Sequence, residues 1–170
     1  MSSEGESFIA DRPVAAFADA IVERPDHECA GWTIRRCIFE DNYRRLLIQS
    51  GPGMVSDCVF RRQGSGIELN SVMPYVEGGV PHDIRIEKNV FTDVNPQPGG
   101  AVVSCYAHTF QRDKFPMMRN INITGNTFTH PSETVINLTG VYGGVIAGNH
   151  FSNSRRPVHL NRCTNVGCIH

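Results

Sequence analysis

The sequence predicts an all-β chain wound as a right-handed parallel β-helix solenoid of about five coils. Three observations carry this expectation. A three-position template recurs along the chain. Each copy is followed by a second short, alternating, β-branched segment. No helix-length apolar period recurs between them.

The template is Ile/Val-x-x-Asn/Cys-x-Phe. Its phenylalanines are Phe39, Phe60, Phe91, Phe128 and Phe151. Two residues before them stand Cys37, Cys58, Asn89, Asn126 and Asn149, and five residues before them stand Ile34, Val55, Ile86, Ile123 and Ile146. The Phe-to-Phe separations are 21, 31, 37 and 23 residues. The two shorter ones define a basic unit of about 22 residues, within the solenoid range. The second segments are Leu46–Ser50, Gly66–Asn70, Ala101–Cys105, Val135–Thr139 and Pro157–Asn161, which read as strands. Stacked coils lie about 4.8 Å apart, so equivalent residues stack on themselves. The phenylalanines then form an aromatic column, Ile/Val an aliphatic one, and the asparagines an amide ladder that also satisfies turn backbone. Cys37 and Cys58 take the asparagine place in the first two rungs. They are read as small buried thiols, with a rung-to-rung disulfide as the alternative that the spacing permits.

Residues 1–24 do not fit the template and form a lead or cap segment, and residues 25–170 form the β-helix. Val14–Val22 reads as a short amphipathic helix closing the coil end, or Asp19–Glu23 as a strand of an incomplete first coil; the pattern is too short to choose. No capping segment follows Cys168-Ile-His170. Stacked edges left open invite pairing with another chain, so self-association through an open end is expected.

Composition narrows the function. Sixteen Lys and Arg against seventeen Asp and Glu give a net charge of −1, which excludes a polybasic nucleic-acid binder held by phosphate contacts. Apolar runs are too short to span a membrane, and the residues after Met1 contain no apolar signal region. The six cysteines include no CxxC and no paired histidines at ligand spacing, so no metal site is expected. The sequons at Asn122 and Asn137 fall within expected strands and carry little weight as glycosylation sites.

The excess lengths mark the expected site. In coil two the excess is 71–82, after the second strand. In coil three most of it is 106–119, again after the second strand, with a few more residues at 95–100. Insertions leaving one edge of adjacent coils should frame one groove. The first offers Tyr75, Glu77, His82 and Asp83, and the second Tyr106, His108, Arg112, Asp113 and Lys114. With Ile67 and Leu69 inside, alternation turns Glu68 and Asn70 outward, together with Gln49, Ser104, Asn137, Thr139, His159 and Asn161. Amides, hydroxyls and imidazole beside aromatic rings suit a sugar polymer, although outer strand faces are polar in any case. Glu68 reads either as a solvated strand residue or as a catalyst, and Glu77 either as a catalyst or as a cap on its tight loop.

The runs Cys29-Ala-Gly-Trp-Thr-Ile-Arg-Arg-Cys-Ile-Phe-Glu-Asp-Asn, Arg44-Arg-Leu-Leu-Ile-Gln-Ser and Tyr75-Val-Glu-Gly-Gly-Val-Pro-His-Asp-Ile-Arg-Ile-Glu-Lys-Asn-Val-Phe resemble the right-handed parallel β-helix carbohydrate-active proteins. Within these they look most like the β-helical α-1,3-galactosidases and their relatives, over roughly residues 20 to 153. The Tyr75-Val-Glu-Gly-Gly loop looks like a Trp-Tyr-Glu-Ser-Gly loop of that family, with Glu77 at its glutamate. Asn70-Ser71 stands where relatives carry an acidic residue, and relatives have several coils before the region matching Asp19. The resemblance implies a glycoside-hydrolase-like scaffold acting by inversion. That requires two carboxyl groups about 6.5–9.5 Å apart, and Glu77 and Glu68 are the expected pair. Tyr75, Asn70, Tyr106, His108, Asn137 and His159 are the expected substrate-binding residues for an oligo- or polysaccharide. No cofactor is required; calcium, common in β-helix lyases, is the one metal left open. The alternative is a non-catalytic glycan-binding or oligomerising module of the spike or adhesin type. The missing coils lead to the expectation of either the C-terminal part of a longer enzyme or a subunit stacked on a partner.

Overall fold

The computed structural model describes residues 29–72, 79–96, 100–108, 118–129, 134–152, 154 and 156–169. The expected lead over residues 1–24 lies outside them. Among the described residues there is no helix, and sixteen short strands build three parallel sheets. The first sheet holds β1 (Trp32–Arg35), β4 (Gly53–Ser56), β7 (His82–Glu87), β10 (Met118–Thr124), β13 (Val141–Ala147) and β16 (Thr164–Ile169). The second holds β2 (Ile38–Glu40), β5 (Val59–Gln63), β8 (Val90–Val94), β11 (Thr127–Thr129) and β14 (His150–Ser152). The third holds β3 (Leu46–Ile48), β6 (Ile67–Val72), β9 (Val103–His108), β12 (Ile136–Thr139) and β15 (Val158–Asn161). Each sheet takes every third strand in order, so the chain is a parallel β-helix of about five coils.

The register follows from burial. Ile34, Val55, Ile86, Ile123 and Ile146 stand in one column of the first sheet. A one-residue slip would turn each of them to solvent. In the second sheet Phe39, Phe60, Phe91, Phe128 and Phe151 form one continuous stack. Ring centroids are 4.6, 4.7, 4.7 and 5.3 Å apart, with planes within 11° of parallel. The coil spacing imposes this near-parallel geometry, because rings on equivalent backbone positions share one rotamer. The three inner phenylalanines are fully buried, while Phe39 and Phe151 pack at the margin.

The corner between the first and second sheets explains the asparagine of the template. Oδ1 of Asn89 accepts from the backbone N–H of Cys58 at 2.9 Å, and Asn126 and Asn149 do the same for the N–H groups of Asn89 and Asn126. The side-chain amides donate to Val55, Ile86 and Ile123 carbonyls and, for Asn89 and Asn126, to the next asparagine's Oδ1 at 3.0 Å. The ladder thus pairs buried backbone groups that the sharp corner takes out of sheet bonding. The preceding residues Arg36, Asp57, Lys88, Gly125 and Gly148 all adopt positive φ, between 52° and 64°. Three of them are not glycine and each costs about 1–2 kcal/mol in that conformation, which the saturated ladder offsets. In the first rungs the cysteines are free thiols. The sulfur of Cys58 takes the asparagine role, receiving the N–H of Cys37 at 3.5 Å and reaching the Ser56 carbonyl at 3.2 Å.

Candidate functional site

The outer face of the third sheet carries the polar strip expected from alternation. Its first column runs Leu47, Glu68, Ser104, Asn137 and His159. Two residues further along, Asn70 pairs with Tyr106, and Thr139 with Asn161. Inward-facing Ile67, Leu69, Val103, Cys105, Ile136 and Leu138 are buried, which fixes the outward direction of their neighbours.

Glu68 is the centre of this face, and it is not a solvated strand residue. It is only 7 % exposed. Oε1 accepts from Asn70 Nδ2 at 2.7 Å and from the Tyr106 hydroxyl at 2.8 Å. Oε2 lies 2.6 Å from Arg45 Nε. That N–H is not aimed along the contact, so it is an ion pair without an aligned hydrogen bond. Gln49 Nε2 in turn donates to Asn70 Oδ1 at 2.9 Å. Three successive coils thus converge on one carboxylate: Arg45 and Gln49 from the first, Asn70 from the second, and Tyr106 from the third. Burial raises the Tyr106 phenol above its ordinary pKa; the hydrogen bond from Asn70 opposes this and the adjacent Glu68 carboxylate adds to it.

Beside this network opens a cavity of about 330 Å³ at the corner between the second and third sheets. Arg44, Arg45, Glu68, Ser104, Tyr106 and Asn137 supply its polar lining, and Tyr43 and Ala101 are among its other walls. Gly64 permits this corner. A Cβ there would lie 2.2 Å from the Tyr43 carbonyl oxygen, so only glycine lets the first coil settle onto the second at Tyr43–Arg45. Asn137 Oδ1 is buried with no donor among the described residues.

The expected residues divide accordingly. Glu68, Tyr106 and Asn137 meet at the cavity, and Asn70 braces Glu68 from behind. His159 lies on the same column two coils away from Ser104 and is exposed. The backbone of His108 pairs with Val72, so the two long insertions depart from adjacent positions. Tyr75 and Glu77 lie outside the described residues, as do half of the first insertion and most of the second. The cavity is lined by 43–45, 64–65, Pro96, Gly100 and Ala101, at the start of the third-sheet strands. Gly79, where the first insertion returns, donates its N–H to the Gln49 carbonyl at 2.7 Å. His82 and Asp83 stand at the start of β7 on the first sheet. Their side chains pair with each other at 2.8 Å, and Asn120 Nδ2 donates to Asp83 at 2.6 Å. The Asn120 hydrogen bond, then that of His82, hold the Asp83 carboxyl below its usual range.

Sequence reasoning missed Tyr43, Arg44 and Arg45. The signal for Arg45 was present: the alternation that turns Gln49 outward also turns out Leu47 and Arg45. Among the described residues no group of three or more His, Cys, Asp or Glu is placed to hold a metal ion, and no helix is long and apolar enough to cross a membrane. Chemically, the site offers neutral hydrogen-bonding groups, one neutralised carboxylate and one guanidinium in excess. Compared with protein-family models, curated proteins and solved structures, the chain matches none of them.

Proposed function

We propose that the chain is a carbohydrate-active β-helix that binds a glycan along the outer face of its third sheet. One observation carries this reading: a 330 Å³ cavity beside a pre-organised network of Glu68, Asn70, Tyr106 and Arg45. Sugars present many hydroxyls, each both donor and acceptor, and the face supplies fixed partners of both kinds. Tyr43 and Tyr106 add aromatic surface at the cavity. The strip continues over successive coils, which suits a chain of sugars better than a single small molecule. Both oxygens of Glu68 are engaged within the protein, which favours a binding and orienting role for it. The sequence resemblance to β-helical α-1,3-galactosidases supports the same substrate class and motivates a second reading, glycoside hydrolysis, in which Glu68 would work with Glu77.

The test is a glycan-array screen of the full chain, with a reducing-sugar assay on every glycan bound. Binding without sugar release is the expected result. Sugar release abolished by Glu77→Gln would move the conclusion to hydrolysis. Absence of binding to every glycan class would overturn both readings.

A further inference from the structure

We propose that Cys37 and Cys58 form a reversible dithiol–disulfide pair that, once oxidised, clamps the first coil onto the second, whatever the groove binds. The two residues occupy the same corner position of successive coils, each one place before the paired residues Ile38 and Val59. Backbone bonds on either side hold them opposite each other. The Val59 N–H donates to the Cys37 carbonyl at 2.9 Å, and the Arg36 N–H to the Ser56 carbonyl at 3.2 Å. At the equivalent place further along, the side chains of Asn89 and Asn126, and of Asn126 and Asn149, meet at 3.0 Å. This corner therefore aims each side chain at its copy in the neighbouring coil. The Cys58 sulfur follows the same rule, lying 3.5 Å from the backbone nitrogen of Cys37. Neighbouring strands lie about 4.8 Å apart, inside the span of about 4.4–6.8 Å between the Cα atoms of a disulfide.

The two thiols differ in the way a stepwise exchange needs: Cys37 is exposed and Cys58 is buried. The Cys37 thiolate attacks one sulfur of a small-molecule disulfide such as glutathione disulfide. That S–S bond breaks, a Cys37–glutathione mixed disulfide forms, and the first glutathione leaves as its thiolate. Cys58 then gives its proton to solvent and attacks the Cys37 sulfur, and the second glutathione leaves as its thiolate. Two protein thiols are oxidised, and one small disulfide is reduced to two thiols. Burial raises the Cys58 thiol above its ordinary range, so the second step quickens as pH rises. The new bond closes residues 38–57 into a loop. That loop holds β3, Gln49 and the corner Tyr43–Arg45 that walls the cavity. In the reduced chain no amide pair joins the first two coils at this corner, so the covalent link acts where the ladder is weakest.

The experiment treats the folded full chain with excess glutathione disulfide, alkylates the remaining thiols, and maps linked peptides by mass spectrometry without reduction. A Cys37–Cys58 linkage is expected. Tm should rise by about 5–10 °C, as closing a loop of this length predicts, and should return to its starting value with dithiothreitol. In Cys58→Ser, Cys37 should stop at the mixed disulfide with glutathione. In Cys37→Ser, Cys58 should stay reduced, because burial keeps the reagent from it. Neither variant should gain the rise in Tm, and circular dichroism checks that both fold. Should Cys58→Ser fail to fold, the parent chain and Cys37→Ser still decide the matter. A parent chain that stays unreacted, stops at Cys37–glutathione, or links only through Cys29 or Cys168 overturns the proposal. A Cys37–Cys58 linkage that leaves Tm unchanged overturns the clamp, and a Cys58 that reacts as readily in Cys37→Ser overturns the assigned order of attack.

Discussion

Replacing Glu68 by glutamine separates a buried network from a solvated strand residue. The substitution keeps size and shape, and it keeps one oxygen able to accept from Asn70 and Tyr106. It places an NH₂ group where Oε2 now lies 2.6 Å from Arg45 Nε. Two donors then face each other, and Arg45 must turn away. The ion pair is worth about 1 kcal/mol or less, because the Arg45 side chain is 36 % exposed and water screens it. Two hydrogen bonds, at 2.7 and 2.8 Å, fall from charge-assisted to neutral strength. Each loses about 0.5–1 kcal/mol. The expected total is about 1–3 kcal/mol, or roughly 2–12 °C in Tm for a chain of this size. Urea denaturation followed by circular dichroism measures it. Arg45→Gln and the double variant complete a cycle, and the double variant should lose less than the sum of the two single losses. A Glu68→Gln protein within 0.5 kcal/mol of the parent, with additive losses in the cycle, would refute the network.

Tyr106, Cys58 and Cys105 contribute to the alkaline behaviour. Burial raises the Tyr106 phenol and the Cys58 and Cys105 thiols above their ordinary values of 10.0 and 9.0. The folded state therefore holds these protons more tightly, so the stability they contribute is complete below those values and is lost as pH rises through the folded ones. Unfolding free energy measured from pH 8 to 11 should fall, and Tyr106→Phe should fall less steeply above about pH 10; an identical slope would show that the phenol is not coupled to folding. Asn126→Ala should be among the most damaging changes in the corner ladder, at about 3–5 kcal/mol. It strands the buried N–H of Asn89 and the carbonyl of Ile86, and each unsatisfied group costs about 1–3 kcal/mol. Asn126→Cys should recover about half of that loss by urea denaturation, since the Cys58 sulfur already fills the same role two rungs away; a thiol no better than alanine would contradict the ladder argument.

The coil architecture was legible in the sequence because it is a repeated local rule. Phe39, Phe60, Phe91, Phe128 and Phe151 recur with their Ile/Val and Asn/Cys companions at constant offsets, and a parallel coil turns constant offsets into columns. The same alternation placed Glu68, Asn70, Ser104 and Asn137 outward. It did not reveal that an outward residue can be buried. Glu68 is covered because Arg45 from the coil before and Tyr106 from the coil after, twenty-three and thirty-eight residues away, close over it. No pattern within one strand encodes that convergence; it arises from lateral stacking, which sets residues distant in sequence one coil apart. The position of the cavity was decided in the same way. Insertion lengths pointed to a groove at 71–82 and 106–119, much of which lies outside the described residues; the cavity described here lies at the starts of the third-sheet strands, where Gly64 lets the first coil sit close enough for Tyr43–Arg45 to form its wall. Strand direction and facing were written in the order of residues, but which of those faces becomes a pocket depended on the contact between coils.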